Sequence, residues 1–181
     1  MAHPEFTLLG DAVWLDFVNS ALGRTPSPPD LLPDAAAFGR WTHAQRLLQL
    51  DAGPPFETIL DFRRQLTGLA EALSAALQPP AGAITAVNAV LAGCPGIHRL
   101  TRIAGEWRLQ FAPSRALAPL EAIARSAAAT LADRTVLIRR CAGESCSLFF
   151  ADSSPNRSRR WCCPVTCGAN LRVERRRGLL R

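Results

Sequence analysis

The sequence predicts an α+β fold, a mostly helical N-terminal domain with a β-hairpin, plus a small C-terminal four-cysteine module. Three observations carry that reading. Apolar residues recur at helical spacing through most of residues 1–136. Between Ile97 and Phe111 the period changes to two. Five of the six cysteines then crowd into the C-terminal stretch, at 141, 146, 162, 163 and 167. The expected boundary places the helical domain at 1–136 and the cysteine module at 137–181.

Taken in order, Asp11 is the expected N-cap of a first helix with Trp14, Leu15, Val18 and Leu22 on one face and Gly23 as its stop. The alternation of Val13, Leu15 and Phe17 also suits a strand. Asp34 caps a short helix presenting Phe38 and Trp41. After Pro54-Pro55, the stripe Ile59, Phe62, Leu66, Leu69, Leu73 and Leu77 predicts a long helix that Pro79-Pro80 ends. A further helix runs from about Ala83 to Leu91, with Ile84, Val87 and Leu91 inward and Gly93 beyond it. Ile97–Ile103 and Trp107–Phe111 form the hairpin, turning at Ala104-Gly105-Glu106. Leu117, Leu120, Ala124, Ala127 and Leu131 mark the last helix of the domain, and Thr135–Ile138 a short strand leading into the cysteines.

All 21 basic residues are arginine, and residues 1–138 hold 11 of them against 12 acids, while residues 139–181 hold 10 against 3. The net charges of −1 and +7 assign the two parts different electrostatic roles. Glu5, Asp11 and Asp16 interrupt any signal-peptide pattern. The longest uncharged stretch, Ala72 to His98, is broken by prolines and glycines and cannot cross a bilayer as one helix. The expected setting is cytoplasmic, with no membrane partner.

Clustered thiols in such a chain point to metal or redox chemistry rather than to disulfides. Cys141-Ala-Gly-Glu-Ser-Cys146 and Cys162-Cys163-Pro-Val-Thr-Cys167 form two equal C-x4-C loops if Cys162 is counted, and C-x3-C if Cys163 is counted instead. Two such loops can converge on one tetrahedral zinc, which makes this a zinc module. A site with four Cys ligands is closed, with no open position for substrate, so the single Zn²⁺ is structural.

The stretch from Cys141 through Phe149-Phe150-Ala151-Asp152 and Arg159-Arg160-Trp161-Cys162 to Cys167-Gly168 resembles the CGNR-type zinc finger, a bacterial module. Upstream, Leu15-Asp16-Phe17-Val18-Asn19-Ser20, Asp30-Leu31-Leu32 and Trp41 resemble the ABATE domain. The resemblance implies a zinc-binding, stress-linked transcription regulator, with ligands Cys141, Cys146, Cys162 and Cys167 and with Cys163 spare. Only Cys167 and Gly168 of the name-giving tetrapeptide are kept, because Ala169 and Asn170 stand where family members have Asn and Arg. That arginine's role does not carry over, although Arg172 lies two residues on.

If a helix runs from Gly168 to Gly178, Arg172, Arg175 and Arg176 share one face. With Arg157, Arg159 and Arg160 they form a basic surface suited to phosphate contacts. Four thiolates and one Zn²⁺ sum to −2, leaving the module near +5 by formal charge, about enough for nucleic acid. The expected function is DNA binding in transcription regulation, with the first domain a sensor of a small-molecule effector or a homodimerisation unit. The alternatives are a zinc-stabilised adaptor docking an acidic protein, and an enzyme acting in the N-terminal domain. No catalytic residue is assigned: the histidines are His3, His43 and His98, no H-E-x-x-H, G-x-S-x-G or phosphate-binding glycine loop occurs, and His98 has no Cys, His or acid nearby at ligand spacing. Asp16 and Asn19 are expected to fix one helix against its neighbour, and Trp161 to pack on the zinc loop.

Overall fold

The computed structural model of the chain describes residues 5–48 and 53–169. Among the described residues, helices α1 Val13–Asn19, α2 Ala35–Ala44, α3 Phe56–Ser74, α4 Ala81–Ala92 and α5 Pro119–Ala132 accompany two antiparallel hairpins. The first pairs β1 Gly96–Ile103 with β2 Glu106–Pro113, and the second pairs β3 Leu137–Arg140 with β4 Phe149–Asp152. Among the described residues, no helix is long and apolar enough to cross a membrane.

Helix α1 lies at the centre, with Trp14 through Asn19 all buried. Its seven residues are therefore apolar on more than one side, which is why they mimic a strand in sequence. Trp14 donates its indole N–H to Thr130 Oγ1 of α5 at 3.0 Å, and Phe17 packs against Phe38 and Trp41 of α2. The expected cap is corrected here: Ala12 occupies the N-cap, with no side-chain capping bond, and Asp11 takes a left-handed φ of 58°. The Asp11 carboxylate pairs instead with Arg159. Asp34 does cap α2, accepting from Ala37 N–H at 2.7 Å. Glu121 performs the reverse service for α5, reaching back to Ala118 N–H at 2.8 Å while Arg115 grips it with two nitrogens.

The stripe on α3 buries Ile59, Phe62, Leu66 and Leu69, but Leu77 lies beyond the helix end and is exposed. Arg63 on the same helix is buried and bonds both carboxylate oxygens of Asp30, tying the loop after α1 to the helix. The first hairpin turns on Ala104 and Gly105, both at positive φ, so Glu106 belongs to the strand and pairs with Ile103. That two-residue turn suits the twist of the strands. Unlike the helices, this hairpin is not buried: Leu100, Trp107 and Leu109 are each about two-thirds exposed.

Strand β4 is absent from the sequence-based reading, because Leu148-Phe149-Phe150-Ala151 is a continuous apolar run without alternation. Both of its faces are covered. Phe149 and Ala151 join the main core with Trp14, Phe17 and Leu66, while Leu148 and Phe150 join a second cluster with Cys141, Cys162 and Cys167. The strand is thus a wall shared by two cores.

The free edge of β4 is closed by the segment around α1. Ser147 N–H donates to Gly23 O at 2.9 Å and Ala151 N–H to Gly10 O at 2.9 Å. Between them, the Asn19 side chain accepts from Phe149 N–H at 2.9 Å and donates to Phe149 O at 2.8 Å. One amide thereby does the work of a strand residue on a buried edge. Replacing Asn19 with Ala leaves both Phe149 groups buried and unpaired, an expected cost of about 2–4 kcal/mol. Urea unfolding would measure it, and a loss under about 0.5 kcal/mol would mean that water or a neighbour takes over.

Asp16 accepts from Gly10 N–H at 2.7 Å and from Gln45 Nε2 at 3.0 Å. Burial outweighs these bonds and pushes its carboxyl up from 3.8 to about 6. A folded pKa above the unfolded one means that this group's stabilisation is complete below about pH 4 and is lost as pH rises through 6. Asp16→Asn cannot ionise. Its stability relative to wild type is expected to rise from pH 5 to pH 8, by up to about 2 kcal/mol. An unfolding difference that is the same at both pH values would refute this origin.

Candidate metal centre and the basic surface around it

The loop joining β3 to β4 carries the first cysteine pair. Cys141 N–H donates to Leu148 O at 2.8 Å, closing the base of the loop, and Cys146 N–H donates to Gly143 O at 3.0 Å, turning its tip. A Cβ at Gly143 would lie 3.2 Å from Cys146 Cβ and 3.3 Å from Cys167 Cβ, so the two loops approach closely enough that a side chain there would have to push them apart by a few tenths of an ångström. In the second loop Cys167 N–H reaches back to Cys163 O at 3.0 Å. The loops are stitched by Ala142 N–H to Arg160 O at 2.9 Å and by Cys162 N–H to Cys141 Sγ at 3.4 Å.

These bonds gather the Sγ atoms of Cys141, Cys146, Cys162 and Cys167 within 4.8 Å of one another. Cys146 and Cys162 stand 3.8 Å apart, and Cys162 and Cys167 3.7 Å. A tetrahedron with metal–sulfur bonds of about 2.3 Å has edges of about 3.8 Å, so the four sulfurs are positioned to coordinate one metal ion. Cys163 is outside this group, half-buried, its thiol held below the ordinary range by hydrogen bonds from Thr166.

The electrostatics of the sulfurs alone agree. The hydrogen bond from Cys162 draws Cys146 down, while the same bond and burial push Cys162 up, and burial pushes Cys167 up. Four thiolates at such distances repel too strongly to ionise together without a cation, and a soft divalent ion such as zinc supplies the missing charge.

Three residues without a sequence motif complete the surroundings. Arg24, from the loop after α1, sets its guanidinium beside Cys162; partial burial opposes its charge, but the sulfurs, Cys162 foremost, hold it more firmly protonated. Arg139 donates Nε to Asp152 at 2.9 Å, and Arg140 lies over the Phe149 ring at 5.8 Å. Asp152 is fully buried and also accepts from Ser154 N–H and Oγ and from Arg159 N–H. Burial raises its carboxyl, but these donors prevail and hold it below the ordinary value.

The arginines singled out in sequence have different placements. Arg159 is internal to the scaffold: Nε donates to Trp161 O, Nη1 pairs with Asp11, Nη2 donates to Cys162 O, and its plane lies 4.5 Å from the Phe150 ring. Arg157 and Arg160 are exposed, and Arg160 lies 5.5 Å over the Trp161 ring. Trp161 in turn packs on Gly168, where a Cβ would meet its ring at 3.4 Å. Helical backbone begins at 167 and continues to 169. The remainder of the expected helix, with Arg172, Arg175 and Arg176, lies outside the described residues. His98 meets the Phe111 ring edge in the first hairpin.

Compared with known families, the chain matches over residues 11–134 the one described as ABATE, "Putative stress-induced transcription regulator". Over residues 138–178 it matches the CGNR zinc finger. No curated protein matches it.

Proposed function

The chain belongs to the ABATE family and carries a CGNR zinc finger that binds one structural Zn²⁺, and we propose that it is a DNA-binding regulator of transcription. We assign the ligands as Cys141, Cys146, Cys162 and Cys167. The observation that carries the reading is a closed four-sulfur cluster bordered by exposed arginines. A metal with four thiolate ligands has no position left for substrate, so the zinc serves to fix the surface that surrounds it.

Arg157 and Arg160 are the described residues we assign to phosphate contact, with Arg172, Arg175 and Arg176 completing the set. Arg159, first counted among them, acts through the scaffold instead, because its three guanidinium nitrogens are bound within the chain. A sensor role for the N-terminal domain is supported by a pocket of about 290 Å³ whose lining includes Phe38, Thr42, Ile59, Pro119 and Leu120. Apart from Thr42 its lining side chains are apolar, which suits an apolar effector better than acid–base chemistry. A dimerisation role is supported by the exposed apolar residues of the first hairpin. Regulation of transcription also fits the cytoplasmic setting expected from the sequence.

Metal analysis of two variants tests the ligand set. Cys163→Ser is expected to keep one zinc per chain, whereas Cys162→Ser loses it and destabilises the module; equal retention in both would refute the assignment. Titration of a fluorescent duplex tests the DNA reading. With three to five phosphates contacted, log affinity is expected to fall against log salt with a slope of about −3 to −5, and Arg172→Ala with Arg176→Ala to flatten it by up to about 2. No binding by the wild type would reject DNA as the partner.

A further inference from the structure

An open groove of about 400 Å³ runs between the C-terminal end of α3 and the zinc module. Leu73 and Leu137 give it an apolar side, and Arg139, Arg140, Arg159 and Arg160 also line it; no acidic side chain does. Two of these guanidinium groups are paired with carboxylates of the chain, Arg139 with buried Asp152 and Arg159 with Asp11. Arg140 and Arg160 have no ion pair among the described residues. Each lies instead against an aromatic ring, Phe149 and Trp161 respectively. Ring contact orients a guanidinium while leaving its N–H donors free.

We propose that this groove is a phosphate-binding site, in which Arg140 and Arg160 grip a phosphate group of a nucleotide and the Leu73–Leu137 side receives its apolar surface. The planar forks of two oriented arginines match phosphate oxygens, and the leucines lining the same groove offer an apolar surface to the rest of a nucleotide. The groove is also built by the metal centre. Arg140 precedes Cys141, Arg160 lies two residues before Cys162, and the Ala142 N–H to Arg160 O bond of 2.9 Å sets the spacing between them. Pairing of β3 with β4 fixes Arg140, and the bond between the two cysteine loops brings Arg160 to the same groove.

The same phosphate chemistry has two sources, a free nucleotide or pyrophosphate and the backbone of DNA, and only the second rests on the function proposed above. The test uses the full zinc-loaded chain, titrated with pyrophosphate by calorimetry and with a fluorescent duplex. The variant is Arg140→Gln with Arg160→Gln, which keeps the stems on their rings. Arg99→Ala with Arg108→Ala on the first hairpin controls for net charge, and Ser74→Asp places a negative charge in the groove from α3, away from the cysteine loops. Wild type and the hairpin variant are expected to bind pyrophosphate alike, and the two groove variants at least tenfold more weakly, with zinc content unchanged.

If duplex affinity falls in parallel, the groove holds the DNA backbone; if only pyrophosphate binding falls, it holds a free phosphate ligand. Loss of pyrophosphate binding in the groove variants of a protein that never binds duplex would reject the DNA reading and keep the groove. Groove variants that bind both probes like the wild type, or a wild type that binds neither, would overturn the site.

Discussion

The structure depends on the two hydrogen bonds between the Asn19 side chain and the backbone of Phe149. A buried strand edge must find partners for its N–H and C=O groups, and the cost of failing is a desolvation penalty of about 1–3 kcal/mol per group. Here the partners come from Gly10, Asn19 and Gly23, which flank or end α1. With the edge closed by a helix end rather than by a third strand, β4 can sit between two cores, one built by helices and one by cysteines. The buried polar positions Asp16 and Asn19 are therefore architectural: Asp16 holds Gly10 N–H, and Gly10 O holds Ala151 N–H.

Charge follows the same junction. Zinc with four thiolates carries a formal −2, and among the described residues arginines reach its surroundings from both parts of the chain. Arg24 comes from the loop after α1, while Arg159 is fixed between Asp11 and the carbonyls of Trp161 and Cys162. These two offset the cluster locally. Among the described residues of the module, Arg140, Arg157 and Arg160 are the exposed arginines, while Arg139 and Arg159 are each paired with a carboxylate of the chain.

Sequence periodicity located α3 and α5 through their apolar stripes, while Asp34 marked the start of α2 and the Ala104-Gly105 turn the bend of the first hairpin, by chemistry that acts within three residues. It failed where the deciding partner is distant. Asp11 reads as a helix cap, yet its carboxylate answers to Arg159, and Ala12 starts the helix in its place. Strand β4 escaped notice because burial on both faces erases alternation. The cysteine spacing left Cys162 and Cys163 open; backbone bonds at Cys141, Ala142 and Cys167 turn Cys162 inward to the other three sulfurs and leave Cys163 aside. Arg140 carried no motif at all, since its partner is a ring on the neighbouring strand.

The first hairpin shows the converse limit. A period of two reports that the faces of a ribbon differ, and says nothing about whether either is covered. Leu100 pairs with Leu109 and Arg102 with Trp107, so one face gathers both leucines and the tryptophan in solvent. A lone two-stranded ribbon is marginal in water, and this one is held by features of its own. Its turn has positive φ at both central residues. At its base, Phe111 meets the His98 ring and lies over Gly96, where a Cβ would come within 2.2 Å of the ring. Local pairing thus sustains the ribbon's shape although, among the described residues, no core lies beneath its apolar face.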